Sequence, residues 1–282
     1  MQGDRIVATV TGKLRPARCV FAYPSVGATE NILMAAAGAN GETTIVNAAL
    51  EPEVLDCIAV LKKMGVAITF TSLGTIKVEG NASLRAVEHV IMPDRLEAGT
   101  LLIAASVTGG TLALPGAPVD SMEVFLEKLS DMGHAISIGE HGQGVSLHAV
   151  EHPKAVSFRT MPYPGFPTDL QAPMMTAQCF AQGTSMVYET VFNNRILPHV
   201  HELRKMGAQI SADALSAQVI GTQALFGAHV IASDIRAAAA LVIAGLGAQG
   251  VTKISGLHHL RRGYDGLERK LQMLGARIIK LS

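Results

Sequence analysis

Residues 61–69 read LKKMGVAIT, and the phrase returns as LSDMGHAIS at 129–137, LRKMGAQIS at 203–211 and LQMLGARII at 271–279. Its glycines, Gly65, Gly133, Gly207 and Gly275, are separated by 68, 74 and 68 residues, a period near seventy that defines an internal repeat. In each copy an amphipathic helix runs into a glycine and then into a β-branched stretch. A glycine just past the last periodic residue marks a helix stop, because only there does a left-handed backbone cost little, and a strand is expected directly afterwards.

A second marker lies upstream in each copy, after a helix of small residues: GETTI at Gly41, GGTLAL at Gly109, GTSMV at Gly183 and GVTKI at Gly250. Together the markers fix the order inside a unit. The first copy runs VFAYPS, ATENILMAAAGA, ETTIVNAA, EPEVLDCIAVLKKM, AITFTS and TIKVEG, which predicts βαβαββ, and the other three copies are expected to follow. The units are bounded at about 15–89, 90–152, 153–221 and 226–282. The small-residue helix is apolar nearly all round, as in RAAAALVIAGLGA at 236–248. Such a helix demands burial on every side, so the fold class is an inside-out α/β repeat, with helices within and sheets without. The longer third spacing accommodates MPYPGFPTD at 161–169, whose three prolines predict a stiff loop.

The bulk properties narrow the function. Lys plus Arg balances Asp plus Glu at 23 each, which removes the electrostatic case for nucleic acid or an anionic membrane, so an anion site has to be local. Cys19, Cys57 and Cys179 are odd in number and widely spaced, indicating neither a disulfide framework nor a zinc site. The opening MQGDRIVATV lacks the apolar core of a signal peptide, and the run from Ala237 to Ala248 is too short to cross a bilayer. These features fit a reducing, cytoplasmic location. No Walker A loop, strand-borne GxGxxG, HExxH or GxSxG occurs, so nucleotide hydrolysis, dinucleotide redox, zinc proteolysis and serine hydrolase chemistry lack support, and neither a cofactor nor a metal is expected. The histidine pairs His199/His201 and His258/His259 are read as surface or supporting residues.

Chemistry is best placed where the buried helices begin. Each start is polar: Ser25-Val26-Gly27-Ala28-Thr29-Glu30, Asp94-Arg95-Leu96-Glu97, Thr168-Asp169-Leu170-Gln171 and Ser233-Asp234-Ile235-Arg236. Helix capping alone accounts for such residues. If the helices run parallel, however, their free N–H groups and dipoles gather at one rim that favours a phosphorylated ligand. Three features add to this. Gly27 lets a ligand approach the backbone. Asp169 follows Phe166-Pro167-Thr168 in a rigid loop, suited to act as a base or to orient a hydroxyl. Arg261 and Arg262 in HHLRRGYD suit bidentate recognition of carboxylate or phosphate.

At these residues the sequence resembles the UDP-N-acetylglucosamine 1-carboxyvinyltransferases (MurA), a branch of the EPSP synthase superfamily. The similar stretches are PSVGATENILMAA, NAALEPEVLD, MPDRLEAGTLLIAA, YPGFPTDLQA, ETVFNNR, HELRKMGA, ASDIRAAAALVIAG and RRGYDGLERKLQMLGA, in the family's order and over nearly the whole chain. The resemblance implies two domains of three βαβαββ units each. Of these, residues 1–89 would be a remnant of the first (one unit plus N-terminal strands) and residues 90–282 the second (three units). It also implies transfer of enolpyruvyl from phosphoenolpyruvate to the 3′-hydroxyl of UDP-N-acetylglucosamine, the first committed step of peptidoglycan synthesis. The alternatives are an inactive UDP-sugar-binding remnant and an EPSP synthase-like transferase.

Carried over by position, the resemblance implies that Ser25, Val26 and Gly27 bind the uridine diphosphate. Thr168 and Asp169 would hold the sugar, with Asp169 as base, and Val191 would touch the nucleotide-sugar. Asp234, Arg236 and Arg262 would line the phosphoenolpyruvate side. Three departures stand out. The family's N-terminal Lys-Asn pair and its Cys- or Asp-bearing loop have no match here, so activity is expected to need that segment, and self-association or a complementing N-terminal fragment is expected. Tyr23-Pro24 replaces the lysine before SVGAT. NNRILPHVHEL is one residue longer than the usual spacing, so no role passes to Arg195; Asp94 and Arg95, which match the hinge-side motif, are given none either.

Overall fold

The computed structural model describes residues 7, 9–12, 14–80 and 83–281. The chain divides into two compact units, Met1–Met92 and Pro93–Ser282.

The first unit contains one complete repeat: β1 (Arg18–Val20), α1 (Val26–Ala37), β2 (Gly41–Val46), α2 (Pro52–Lys63), β3 (Ala67–Ser72) and β4 (Thr75–Gly80). The strands lie in the order β1-β2-β4-β3, with β1 parallel to β2 and the other pairings antiparallel. Leu33, Ile45, Val54, Ile58, Ile76 and Val78 fill the space between this sheet and its two helices.

The second unit holds three repeats. The first comprises α3 (Arg95–Thr108), β5 (Thr111–Pro118), α4 (Glu123–Asp131), β6 (Ala135–Ile138) and β7 (Gln143–His148). Next come β8 (Phe158–Arg159), α5 (Gln171–Cys179), β9 (Thr184–Tyr188), α6 (Ile196–Lys205), β10 (Gln209–Ala212) and β11 (Ser216–Ile220), whose sheet order β8-β9-β11-β10 repeats that of the first unit. Last are β12 (His229–Ile231), α7 (Ile235–Gly247), β13 (Lys253–Ser255) and α8 (Leu267–Met273). Helices α3, α5 and α7 pack against one another at the centre. All nine residues of α5 are buried, as are Ala237–Leu241 of α7 and Ala98–Ser106 of α3. The helices do lie inside, and the reason is the one the sequence supplies: side chains this small and apolar leave no face that gains from water. Close approach is enforced at Gly99, where a Cβ would lie 2.5 Å from Leu170 Cδ1.

Both glycine markers adopt positive φ in all four copies: 105°, 97°, 93° and 99° at Gly65, Gly133, Gly207 and Gly275, and 113°, 69°, 110° and 91° at Gly41, Gly109, Gly183 and Gly250. Two repeats nevertheless depart from βαβαββ. Among the described residues, no strand precedes α3. Residues 83–92 instead run along α2, with Arg85 N–H donating to Met64 O at 3.0 Å, Arg85 Nε to Lys63 O at 2.7 Å, and His89 Nε2 lying 2.9 Å from Asp56 Oδ1. Of these, the Arg85 N–H bond takes a backbone donor that a sheet ladder would need. Residues 276–281 form no strand either, and β11, the strand that pairs β10 in the preceding repeat, has no counterpart among the described residues.

Candidate active site

The second unit gathers polar side chains where α5, α6 and α7 begin. The Pro-rich segment forms a loop as expected, and Thr168–Leu170 then make a 3-10 turn leading into α5. Thr168 does not cap this helix: no side-chain cap bond is made at either the turn or α5. Its hydroxyl and the Asp169 carboxylate are aimed sideways into a cluster. Asp169 Oδ1 accepts from Arg236 Nε and from Arg195 Nη1, both at 2.8 Å, while Oδ2 meets no donor among the described residues. Burial pushes the Asp169 carboxyl up, but the two guanidiniums outweigh it, Arg236 more than Arg195, and hold it below the usual carboxylate range.

Arg236 owes its position to Asp234, the N-cap of α7, whose Oδ1 accepts from Arg236 N–H at 2.8 Å and Ala237 N–H at 3.0 Å. The cap fixes the first turn, and the second helical residue then points across to Asp169. Burial alone would lower the Asp234 carboxyl's affinity for its charge, but these backbone donors keep its pKa depressed. The Tyr264 hydroxyl lies 2.8 Å from Thr100 Oγ1, and burial pushes its phenol above its ordinary value.

Arg195, immediately before α6, also donates to Thr168 Oγ1 at 2.9 Å, and its guanidinium sits 4.3 Å from the centre of the Phe192 ring. Behind it His199 is 1% exposed, so it is no surface histidine; burial pushes its imidazole down to about 4, and Nε2 meets no partner among the described residues. His199 is therefore neutral at pH 7 and adds no charge to the arginines. Glu189, at the end of β9, is 1% exposed and accepts four hydrogen bonds: from the Thr160 and Thr168 hydroxyls and from the Val191 and Phe192 N–H groups.

The residues singled out in the sequence are thus distributed unevenly. Thr168, Asp169, Asp234 and Arg236 meet in one cluster, with Val191 tied to it through Glu189. Arg262 is exposed, at the end of the 3-10 turn Leu260–Arg262, and makes no side-chain hydrogen bond among the described residues. Ser25, Val26 and Gly27 belong to the first unit. There Ser25 Oγ accepts from Ala28 N–H at 3.4 Å to cap α1, Val26 packs partly against the core, and a Cβ on Gly27 would meet nothing within 4 Å. Arg195, Glu189 and Tyr264 were not selected from the sequence. The extra residue in NNRILPHVHEL hid the first, and no local pattern marks the other two.

This arrangement, a carboxylate with one free oxygen clamped by two arginines at helix starts, suits an anionic ligand beside a hydroxyl. A family model described as EPSP synthase (3-phosphoshikimate 1-carboxyvinyltransferase) matches residues 3–271. The chain belongs to the EPSP synthase family. It is 47% identical to UDP-N-acetylglucosamine 1-carboxyvinyltransferase 1 of Caldanaerobacter subterraneus subsp. tengcongensis, over 99% of this chain and 66% of that protein. It is 48% identical to UDP-N-acetylglucosamine 1-carboxyvinyltransferase of Desulfovibrio desulfuricans, over 94% of this chain and 63% of the other. Among solved structures, the enolpyruvyl transferase NikO from Streptomyces tendae superposes with a TM-score of 0.85 at 28% identity, covering 95% of this chain and 65% of that one. An EPSP synthase from Acinetobacter baumannii, with a TM-score of 0.73 at 18% identity over 96% and 64% of the two chains, shares the fold. The chain spans about two thirds of the length of these relatives.

Proposed function

We propose that this chain carries the acceptor-holding wall of an enolpyruvyl transferase that joins phosphoenolpyruvate to the 3′-hydroxyl of UDP-N-acetylglucosamine. In this reaction the acceptor O–H bond breaks, a C–O bond forms at C2 of phosphoenolpyruvate, and the bond from C2 to the phosphate oxygen breaks, releasing phosphate. The observation that carries the reading is the clamp of Asp169 by Arg236 and Arg195. In the free state both arginines bind one carboxylate oxygen and weaken Asp169 as a base. An incoming phosphate or carboxylate competes for the same guanidiniums. As they turn toward it, the Asp169 carboxylate becomes a better proton acceptor at the moment the donor substrate is in place. Arg236 and Arg195 thus have two tasks, anion binding and control of the base, with Arg262, exposed at the end of the 3-10 turn Leu260–Arg262, proposed as a further cation.

Ser25, Val26 and Gly27 are proposed to meet the uridine diphosphate. The open space over Gly27 and the N-terminus of α1 suit a phosphate. Self-association is proposed through the outer face of α1, where Met34 is 53% exposed, and sedimentation at increasing concentration tests it.

Phosphate release from phosphoenolpyruvate in the presence of UDP-N-acetylglucosamine is the test of the transferase reading, with shikimate 3-phosphate as a competing acceptor. Release with the nucleotide-sugar is expected when a complementing N-terminal fragment is supplied with this chain, and is expected to be lost in Asp169→Asn. Release only with shikimate 3-phosphate would replace the acceptor, and nucleotide-sugar binding without release would make this a binding module.

A further inference from the structure

We propose that Glu189 is a positioning residue that sets the hydrogen-bond polarity of the sugar-facing wall, so that Thr168 offers only acceptor lone pairs to whatever binds beside Asp169. The ligand class in this statement rests on the nucleotide-sugar reading above, whereas the polarity does not.

As a carboxylate, the buried Glu189 side chain can only accept. Oε1 of Glu189 receives three donors, the Thr160 hydroxyl at 2.8 Å and the Val191 and Phe192 N–H groups at 2.9 Å each. Oε2 receives one, the Thr168 hydroxyl at 2.9 Å. Taking a charge this deep out of water is tolerable only because every bond points inward, so the Thr168 proton is committed to Glu189. What remains on Thr168 is the oxygen's lone pairs, and one of them already accepts from Arg195 Nη1 at 2.9 Å.

Two consequences follow at the site. Thr168 and Asp169 stand side by side as acceptors, a pair that matches the hydroxyl or amide N–H donors of a sugar, while an anionic group is left to the Arg195 and Arg236 guanidiniums. The Val191 and Phe192 amides are likewise spent on Glu189, so this turn presents carbonyls and side chains to a ligand. Glu189 also fixes the backbone that carries the Phe192 ring under the Arg195 guanidinium. One carboxylate that touches no ligand thereby orients the acceptor at Thr168, the turn at Val191 and the cation at Arg195.

Glu189→Gln separates polarity from shape. The side-chain oxygen of Gln can keep the three donors at the Oε1 position, which leaves its NH2 facing Thr168. The Thr168 hydroxyl must then turn its proton into the site. UDP-N-acetylglucosamine affinity, measured by calorimetry, is expected to fall about tenfold in Glu189→Gln and in Thr168→Val, the scale of one hydrogen bond. The two losses should not multiply in the double variant, and Thr168→Ser should restore binding. Losses that multiply, or a loss in Glu189→Gln with none in Thr168→Val, would show that Glu189 acts only as a structural residue and overturn the proposal. If Glu189→Gln does not fold, Thr168→Val against Thr168→Ser decides, because equal affinity in the two contradicts it. If the wild-type chain binds no nucleotide-sugar, that reading fails alone. The slowly exchanging Thr168 hydroxyl proton in an NMR spectrum then answers for this one: present in wild type and lost in Glu189→Gln supports it, and unchanged in Glu189→Gln overturns it.

Discussion

Helices α1 and α7 are built from nearly the same alphabet, ATENILMAAA against RAAAALVIAG, yet they live in different surroundings. In α7 Ala237–Leu241 are fully buried between α3, α5 and α6, whereas in α1 only Thr29, Leu33, Ala36 and Ala37 are buried, and Met34 is 53% exposed. Composition prescribes that such a helix wants neighbours; the neighbours themselves decide how much free energy it yields, since most helix stability comes from tertiary packing.

Four measurements can break or sharpen this contrast. The largest effect is expected for Leu241→Ala, which empties a fully buried position in α7 and should cost about 3 kcal/mol in chemical denaturation. Met34→Ala on α1 should stay within about 0.5 kcal/mol. Equal costs would mean that α1 is as enclosed as α7. Gly99→Ala comes next: its Cβ would press on Leu170 at 2.5 Å, for a cost of about 1–3 kcal/mol, and, by shifting the residue after Asp169, should weaken ligand binding as well. At Gly27 the same change meets only open space and should be neutral or stabilising by up to about 1 kcal/mol through helix propensity.

Caps should differ in the same sense. Asp234→Ala removes bonds of 2.8 and 3.0 Å and is expected to cost about 1 kcal/mol together with the placement of Arg236, while Ser25→Ala, losing a 3.4 Å bond, should cost a few tenths.

The smallest effect concerns acid, and its sign is opposite in the two units. Asp169 has a depressed pKa, so its stabilising contribution is present above the unfolded pKa and is lost as pH falls through the folded value. Glu30 is raised by burial and by Glu53 and Glu51, so its charge opposes folding at neutral pH, and protonation on the way down relieves that. Hydrogen exchange should therefore show α1 and α2 holding or gaining protection between about pH 7 and pH 4, while α5 and α7 keep theirs to about pH 4 and lose it only below that. A uniform loss would contradict this assignment of charges.

Much of the architecture can be read from eight glycines. Gly65, Gly133, Gly207 and Gly275, with Gly41, Gly109, Gly183 and Gly250, occupy positive φ because a helix end or a tight entry to a strand requires it there, and glycine is the residue that supplies it cheaply. What periodicity could not reveal is pairing. The β-branched residues Ile278 and Ile279 form no strand, and no described residue pairs with them. Residues 83–92 spend their hydrogen bonds on α2 instead of on a sheet.

The site was legible where a rigid loop or a cap announces itself, as at Thr168, Asp169 and Asp234. It was illegible where the cluster depends on long-range placement. Arg195 reaches Asp169 across 26 residues from the residue just ahead of α6, displaced in the sequence pattern by one added residue. Glu189 is a charged residue in a strand-end motif, and only the four donors converging on it in space set it apart from an exposed glutamate.

The central claim is that Asp169, held between Arg195 and Arg236, faces a nucleotide-sugar acceptor. Calorimetric titration of UDP-N-acetylglucosamine into wild type and Asp169→Asn, with melting curves to show that both are folded, tests it most directly. Saturable binding to wild type, weakened at least about tenfold in the variant, is the predicted result; equal binding by the two folded proteins, or none by the wild type, would contradict the account.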